Sequence, residues 1–158
     1  MEKIYINILI DTLNRKNILL DKLLEYTILQ EKYISESPLD FNNLEASISD
    51  KDDLIEKLNQ IDEGFEQVYN RVQEELKTNK DNYIEEIYEL QKLIKQIMEK
   101  STKLQTLERR NKIKIDLFIS TNKQQIRNFK MNNKGINNYY SNNNNYVSGQ
   151  AFFFDKKK

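Results

Sequence analysis

The carboxylates are the first residues in this chain whose type and spacing could do chemistry. Adjacent acids stand at Asp52-Asp53, Glu74-Glu75 and Glu85-Glu86. Paired carboxylates can share a proton or hold a divalent cation. Neighbouring residues on a helix, however, point about 100° apart, so on helical backbone these pairs do not converge on one atom. They read as solvated faces. Asp50-Lys51-Asp52-Asp53 lacks the central glycine and terminal glutamate of a calcium loop. Gly64, Gly135 and Gly149 stand alone, so no phosphate-cradling loop can be built from them. The chain has no cysteine and no histidine, which removes thiolate sites, the usual general base and the commonest metal ligand. No catalytic residue, metal site or cofactor is expected, and the chain does not read as an enzyme.

The elements carrying these residues are set by an apolar stripe. From Leu44 it runs through Ile48, Ile55, Leu58, Phe65, Val72 and Leu76, and it resumes at Ile87, Leu90, Ile94, Ile97, Leu104, Ile115, Phe118, Ile126 and Phe129. Steps of three and four residues place these side chains on one face of a helix, which is stable only against another helix. Ser101, Glu108 and Asn111 interrupt the stripe as register-setting or seam-exposed polar positions. With 32% charged and 38% apolar residues in 158, there is enough apolar surface for a narrow seam and too little for a thick core.

Helix one is expected from Glu2 to about Tyr33. Leu9, Leu13, Leu20, Leu24 and Ile28 form one edge of its apolar face, and Tyr5, Leu19, Leu23 and Tyr26 the other. Ser37-Pro38-Leu39-Asp40 reads as the start of helix two, with a serine cap and proline in the first turn. Helix two runs to about Lys77. After the polar turn 77–82, helix three runs from near Asp81 to about Lys130, roughly 50 residues or 75 Å. Short connections make consecutive helices antiparallel neighbours. The fold class predicted is all-α: an elongated three-helix antiparallel coiled coil over 1–131, with a disordered Asn-rich tail over 132–158 that ends in an aromatic and lysine motif.

Charge is distributed as a gradient although the net charge is zero. Residues 31–89 hold seventeen acids against six bases, and residues 100–134 hold ten bases against Glu108 and Asp116. The basic stretch is either a nucleic-acid surface or the counterpart of the acidic stretch. No binding motif or aromatic platform supports the first, so no nucleic-acid partner is expected. A turn near Asn79 places helices two and three side by side where residue numbers sum to about 158. Residues 100–116 then face the acidic residues 42–58.

In that register helix three outlasts helix two at about Ser120, so Ile119, Ile126, Phe129 and Met131 project as an uncovered apolar stripe. The alternative is that helix three frays after Phe118. In the tail, Phe152, Phe153 and Phe154 follow the run Asn142–Asn145 and precede Asp155 and three lysines. They read as a short docking element, against the alternative of a sticky end kept soluble by the lysines. The start of the chain lacks a signal-peptide pattern, and no run approaches a membrane span. A cytoplasmic protein without membrane insertion is expected.

Several stretches are similar to one known family. Leu19-Leu20-Asp21-Lys22-Leu23-Leu24-Glu25, Lys32, Asp40-Phe41-Asn42-Asn43-Leu44 and Lys51-Asp52-Asp53-Leu54-Ile55-Glu56-Lys57-Leu58 resemble the FlgN family of flagellar export chaperones. Asn111, Ile115 and Leu117-Phe118 look like that family's asparagine-plus-apolar stretch in the last helix. Phe153-Phe154-Asp155-Lys156-Lys157 is similar to the endings of its Gram-positive members, whereas Asn142–Asn145 departs from the family. The resemblance implies a cytoplasmic chaperone that binds the C-terminal segments of hook-associated flagellar proteins, prevents premature assembly and delivers them to the flagellar export apparatus. It also implies client capture by the end of the last helix. Together with the overhang this marks Asn111, Ile115, Phe118, Ile119, Ile126 and Phe129 as client-binding candidates, with Phe152, Phe153 and Phe154 as a tail-docking group. The rival expectation is a generic coiled-coil scaffold or dimerisation protein, with a homodimer left open.

Overall fold

A computed structural model of the chain describes residues 2–36 and 39–121. They form three long helices, α1 (Glu2–Ser35), α2 (Phe41–Thr78) and α3 (Ile84–Thr121), with one 3-10 turn, Lys80–Tyr83, between α2 and α3. There is no strand among the described residues. The all-α, antiparallel architecture predicted by the stripes is the one observed, with α1 and α2 ending within two residues of their predicted ends. The tail 132–158, and with it Ile126, Phe129, Met131 and Phe152–Phe154, lies outside the described residues. So does any continuation of α3 towards Lys130.

The core of α1 is a strict three–four repeat: Ile6, Leu9, Leu13, Lys16, Leu20, Leu23, Thr27, Gln30 and Ile34 are all buried. This heptad seam faces both other helices, and α1 is the central element, packing along its length against α2 and α3. The backbones of α2 and α3 keep further apart and meet mainly through long side chains. Ile28, expected on the stripe, is exposed instead, while Thr27 beside it is buried.

Helix α2 does not start at Ser37-Pro38, which lie outside the described residues. Leu39 and Asp40 are non-helical, and Phe41 is the first helical residue. Asp40 is the cap: its Oδ1 accepts the backbone N–H of Asn43 at 3.2 Å, and its Oδ2 accepts Asn43 Nδ2 at 2.7 Å. Leu39 before the cap and Leu44 in the next turn are buried in the same cluster, a hydrophobic staple that sets the entry angle of the chain.

The α2–α3 turn is held by Glu75. Its backbone carbonyl accepts the Asn79 N–H at 2.9 Å, and its carboxylate accepts the Tyr83 hydroxyl and Asn79 Nδ2, each at 3.0 Å. The register follows the expected sum closely. Lys51 meets Glu108 and Phe41 meets Phe118, pairs that each sum to 159.

The expected pairing of charges is corrected. The bases of α3 reach the acids of α1: Lys100 pairs with Asp21 at 2.8 Å, and Arg110 and Lys114 share Glu31 at 2.7 and 3.4 Å. Across α2 and α3 the Lys51–Glu108 pair has the opposite polarity, base on α2 and acid on α3. The physical reason is the packing order. Because α1 lies closest to α3, the flanking positions of α3 face α1 and find their partners there.

Candidate functional site

Among the described residues two apolar clusters fill the bundle. The larger runs from Ile6 to Leu104 through all three helices. The smaller lies where α1 ends, α2 begins and α3 leaves the described residues. Ile34, Leu39, Leu44 and Ile115 are buried there, with Tyr33, Phe41, Ile48, Phe118 and Ile119 half-buried around them. Phe118 packs edge-on against Phe41, ring centroids 5.4 Å apart and planes at 66°. Large half-buried aromatics on a bundle end offer apolar area that a further helix can cover.

Between the two clusters lies a buried polar layer contributed by every helix. Thr27 and Gln30 come from α1, Lys51 from α2, and Glu108 and Asn111 from α3, all at seam positions. Lys51 Nζ donates to Gln30 Oε1 at 2.8 Å and to Glu108 Oε1. The Thr27 hydroxyl lies 2.7 Å from the Leu23 carbonyl and 3.2 Å from Glu108 Oε1, with one proton to share between them. Asn111 Nδ2 donates to the Thr27 carbonyl at 3.1 Å. Burial pushes the Lys51 ammonium down to about 8, with the Glu108 carboxylate pulling the other way. A second buried lysine, Lys16 on α1, pairs with Asp62 at 2.6 Å; burial lowers its pKa and Asp62 opposes this.

A layer of this kind supplies register. A charged group at a seam position tolerates one alignment of the helices, because any slip leaves it buried and unpaired. It also lies between the main core and the end cluster, which form separate apolar groups. Of the acid pairs only Asp52-Asp53 is a fully solvated face: Glu75 and Glu86 are half-buried, Glu75 in the α2–α3 turn and Glu86 beside Lys3. Asp52 and Asp53 are exposed, as are Glu74 and Glu85, and among the described residues no group of carboxylates could hold a metal ion.

The structure separates the candidate binding residues into three sets. Asn111 and Ile115 are buried, the first in the polar layer and the second in the end cluster, so their side chains hold α3 in place and are not presented at the surface. Phe118 and Ile119 are half-buried at the rim of that cluster. Ile126, Phe129, Phe152, Phe153 and Phe154 lie outside the described residues. Sequence reasoning missed Tyr33, Phe41 and Ile48 as the companions of Phe118, and Thr27, Gln30 and Lys51 as core residues. A signal for the polar ones existed: the three–four count begun at Ile6 passes through Lys16, Thr27 and Gln30.

Among the described residues no helix is long and apolar enough to cross a membrane. Neither a curated protein nor a solved structure matches the chain. A family model does, described as FlgN protein and matching residues 1–148, which takes in all three helices and most of the tail. With a match of that extent over a three-helix coiled coil, the chain belongs to the FlgN family, the flagellar export chaperones.

Proposed function

We propose that this chain is a cytoplasmic chaperone that captures the C-terminal segment of a hook-associated flagellar protein on the end of its bundle and delivers it to the export apparatus. The observation that carries this reading is the end cluster. Phe118 and Ile119 continue the α3 stripe, remain half-exposed, and point along the sequence towards Ile126 and Phe129, the next apolar positions of the same repeat. Capture would be of the helix-in-groove kind, with the apolar face of an amphipathic client segment covering this surface. Ordering the client consumes part of the interaction free energy, which suits an affinity that can be released at the next step. In this reading Asn111 and Ile115 are positioning residues that hold α3 against α1, and Phe118, Ile119, Ile126 and Phe129 touch the client.

The tail fits the same scheme. Phe152, Phe153 and Phe154 would cover the apolar end of α3 when no client is present and leave when one arrives. A tethered segment competes at high effective concentration even when its own affinity is weak.

The rival reading, a scaffold whose stripes pair between two chains, has less to draw on. The seam residues Leu9, Leu13, Leu20, Leu58, Leu90, Ile94 and Leu104 are already buried within one chain. The discriminating experiment is calorimetric titration of the full chain with the C-terminal segment of the hook-associated protein from the same genome. Phe118→Ala, Ile126→Ala and Phe129→Ala should each weaken binding by about 1–2 kcal/mol with helix content retained. Wild-type affinity in all three would exclude this end as the site.

A further inference from the structure

The flank between α1 and α2 carries a groove of about 510 Å3 that neither the end cluster nor the polar layer uses. Its floor is Thr12, Leu19, Ile61 and Gly64, and its rim holds Arg15, Lys57 and the exposed Ile18. The groove exists because two small residues face each other. Tyr5 and Arg71 occupy equivalent flanking positions one heptad away, each seven residues from Thr12 or Gly64, and they close the flank: Arg71 Nη1 donates to the Tyr5 hydroxyl at 3.2 Å and its guanidinium lies 5.6 Å from the ring centre. At Thr12 and Gly64 nothing spans the gap.

Gly64 is hard to explain by folding. It sits in the middle of a 38-residue helix, where glycine is the poorest choice after proline. A Cβ built on it meets nothing within 4 Å, so no close helix contact demands its absence. What the missing side chain does is deepen an apolar dent. Arg15 and Lys57 flank that dent, and neither side chain makes a hydrogen bond or ion pair among the described residues, although α2 is rich in acids.

We propose that this groove docks an amphipathic helix of a partner protein, which seats an apolar side chain in the dent and presents carboxylates to Arg15 and Lys57. The groove runs between two helices and offers no strand edge, so a third helix is the element that fits it. It is open to one side, unlike the enclosing pockets that bury most of a small ligand. The end of this chain is a poor occupant, because Lys156, Lys157 and Lys158 would follow its phenylalanines onto two cations. Leu19 and Tyr33 are two heptads apart, so the groove lies about 21 Å along α1 from the end cluster and can be filled while that end is occupied. The inference stands independently of what binds there.

The test uses the full chain and a dye-labelled probe peptide of about three heptads, with leucine at the seam positions and glutamate flanking them, followed by fluorescence anisotropy. A second probe replaces every glutamate with lysine. The glutamate probe should bind the wild-type chain more tightly than the lysine probe, and Arg15→Glu with Lys57→Glu should reverse that preference. Gly64→Met, which fills the dent, should weaken the glutamate probe by about tenfold with circular dichroism unchanged. Phe118→Ala should leave it unaffected. Equal binding of the two probes, or an affinity indifferent to the Arg15, Lys57 and Gly64 changes, overturns the proposal. So does sedimentation showing a wild-type dimer that the charge reversal dissolves, since the groove would then be a contact between two copies of this chain.

Discussion

Lys51 of α2 and Glu108 of α3 meet inside the bundle as an ion pair with side chains 0% and 3% exposed. Burying two charges costs several kcal/mol per ion, which their attraction offsets only with good geometry and further hydrogen bonds. Gln30 and Thr27 supply those bonds. The pair is therefore a poor source of stability and a strong constraint on alignment.

That balance sets the first prediction. Lys51→Met or Glu108→Leu alone leaves an uncompensated buried charge and should cost about 3–5 kcal/mol in urea unfolding, whereas the double variant should recover to wild-type stability or above. Two single losses that simply add in the double variant would contradict a coupled pair.

Stability should also depend on pH in a way that identifies the buried lysines. With its folded pKa lowered from 10.5 to about 8, Lys51 releases a proton in the folded chain that the unfolded chain still holds between those values. The unfolded state binds more protons there, so stability rises with pH across this window, by on the order of 3 kcal/mol from Lys51. Lys16 is lowered too and adds in the same direction. Above about pH 10 the sign turns. The Tyr69 phenol, pushed up to about 12 by burial and then by Glu74, keeps a proton that the unfolded chain loses. Urea midpoints should climb from about pH 7 to 9.5 and climb less in Lys51→Met. A wild-type midpoint that falls over this range would rule the assignment out.

Much of the fold was legible in the sequence because its stripes keep coiled-coil spacing. Leu44, Leu58, Phe65, Val72 and Leu90 to Leu104 are in the core where the apolar count put them. The turn near Asn79 placed α2 against α3 with a sum of about 158, close to the 159 of Lys51–Glu108 and Phe41–Phe118, although Phe41 itself was not singled out. The buried polar residues were hidden for a physical reason: Lys16, Thr27, Gln30, Ser47 and Lys51 occupy seam positions but carry no apolar signal, and Lys16, Gln30 and Lys51 are buried against partners in other helices. The capping of α2 was misplaced because Ser37-Pro38 and Asp40 both suit a helix start, and the staple between Leu39 and Leu44 selects the later one. Of the client-binding candidates, spacing identified the stripe but could not tell buried Asn111 and Ile115 from the half-exposed Phe118 and Ile119.

Gly64 gives a third prediction. Gly64→Ala should stabilise the chain by about 0.5–1 kcal/mol, since the new methyl enters open space and helix propensity improves. A loss of stability in thermal or urea unfolding would mean that the glycine serves the fold after all.

Truncation after Asn145 tests the role of the tail. If Phe152, Phe153 and Phe154 cover the end of α3, their removal should raise affinity for the client segment and lower solubility. An unchanged affinity would exclude self-docking and turn attention to a separate partner for the aromatic motif.

The most direct test of client capture is amide hydrogen exchange of the full chain with and without the C-terminal segment of its hook-associated client. The account predicts that added protection is confined to the end of the bundle, from about Asn111 onward in α3 and around Tyr33 and Phe41, while exchange over Leu90 to Leu104 is unchanged. Protection spread evenly along α1 and α3, or absent from the residues beyond Asn111, would contradict it.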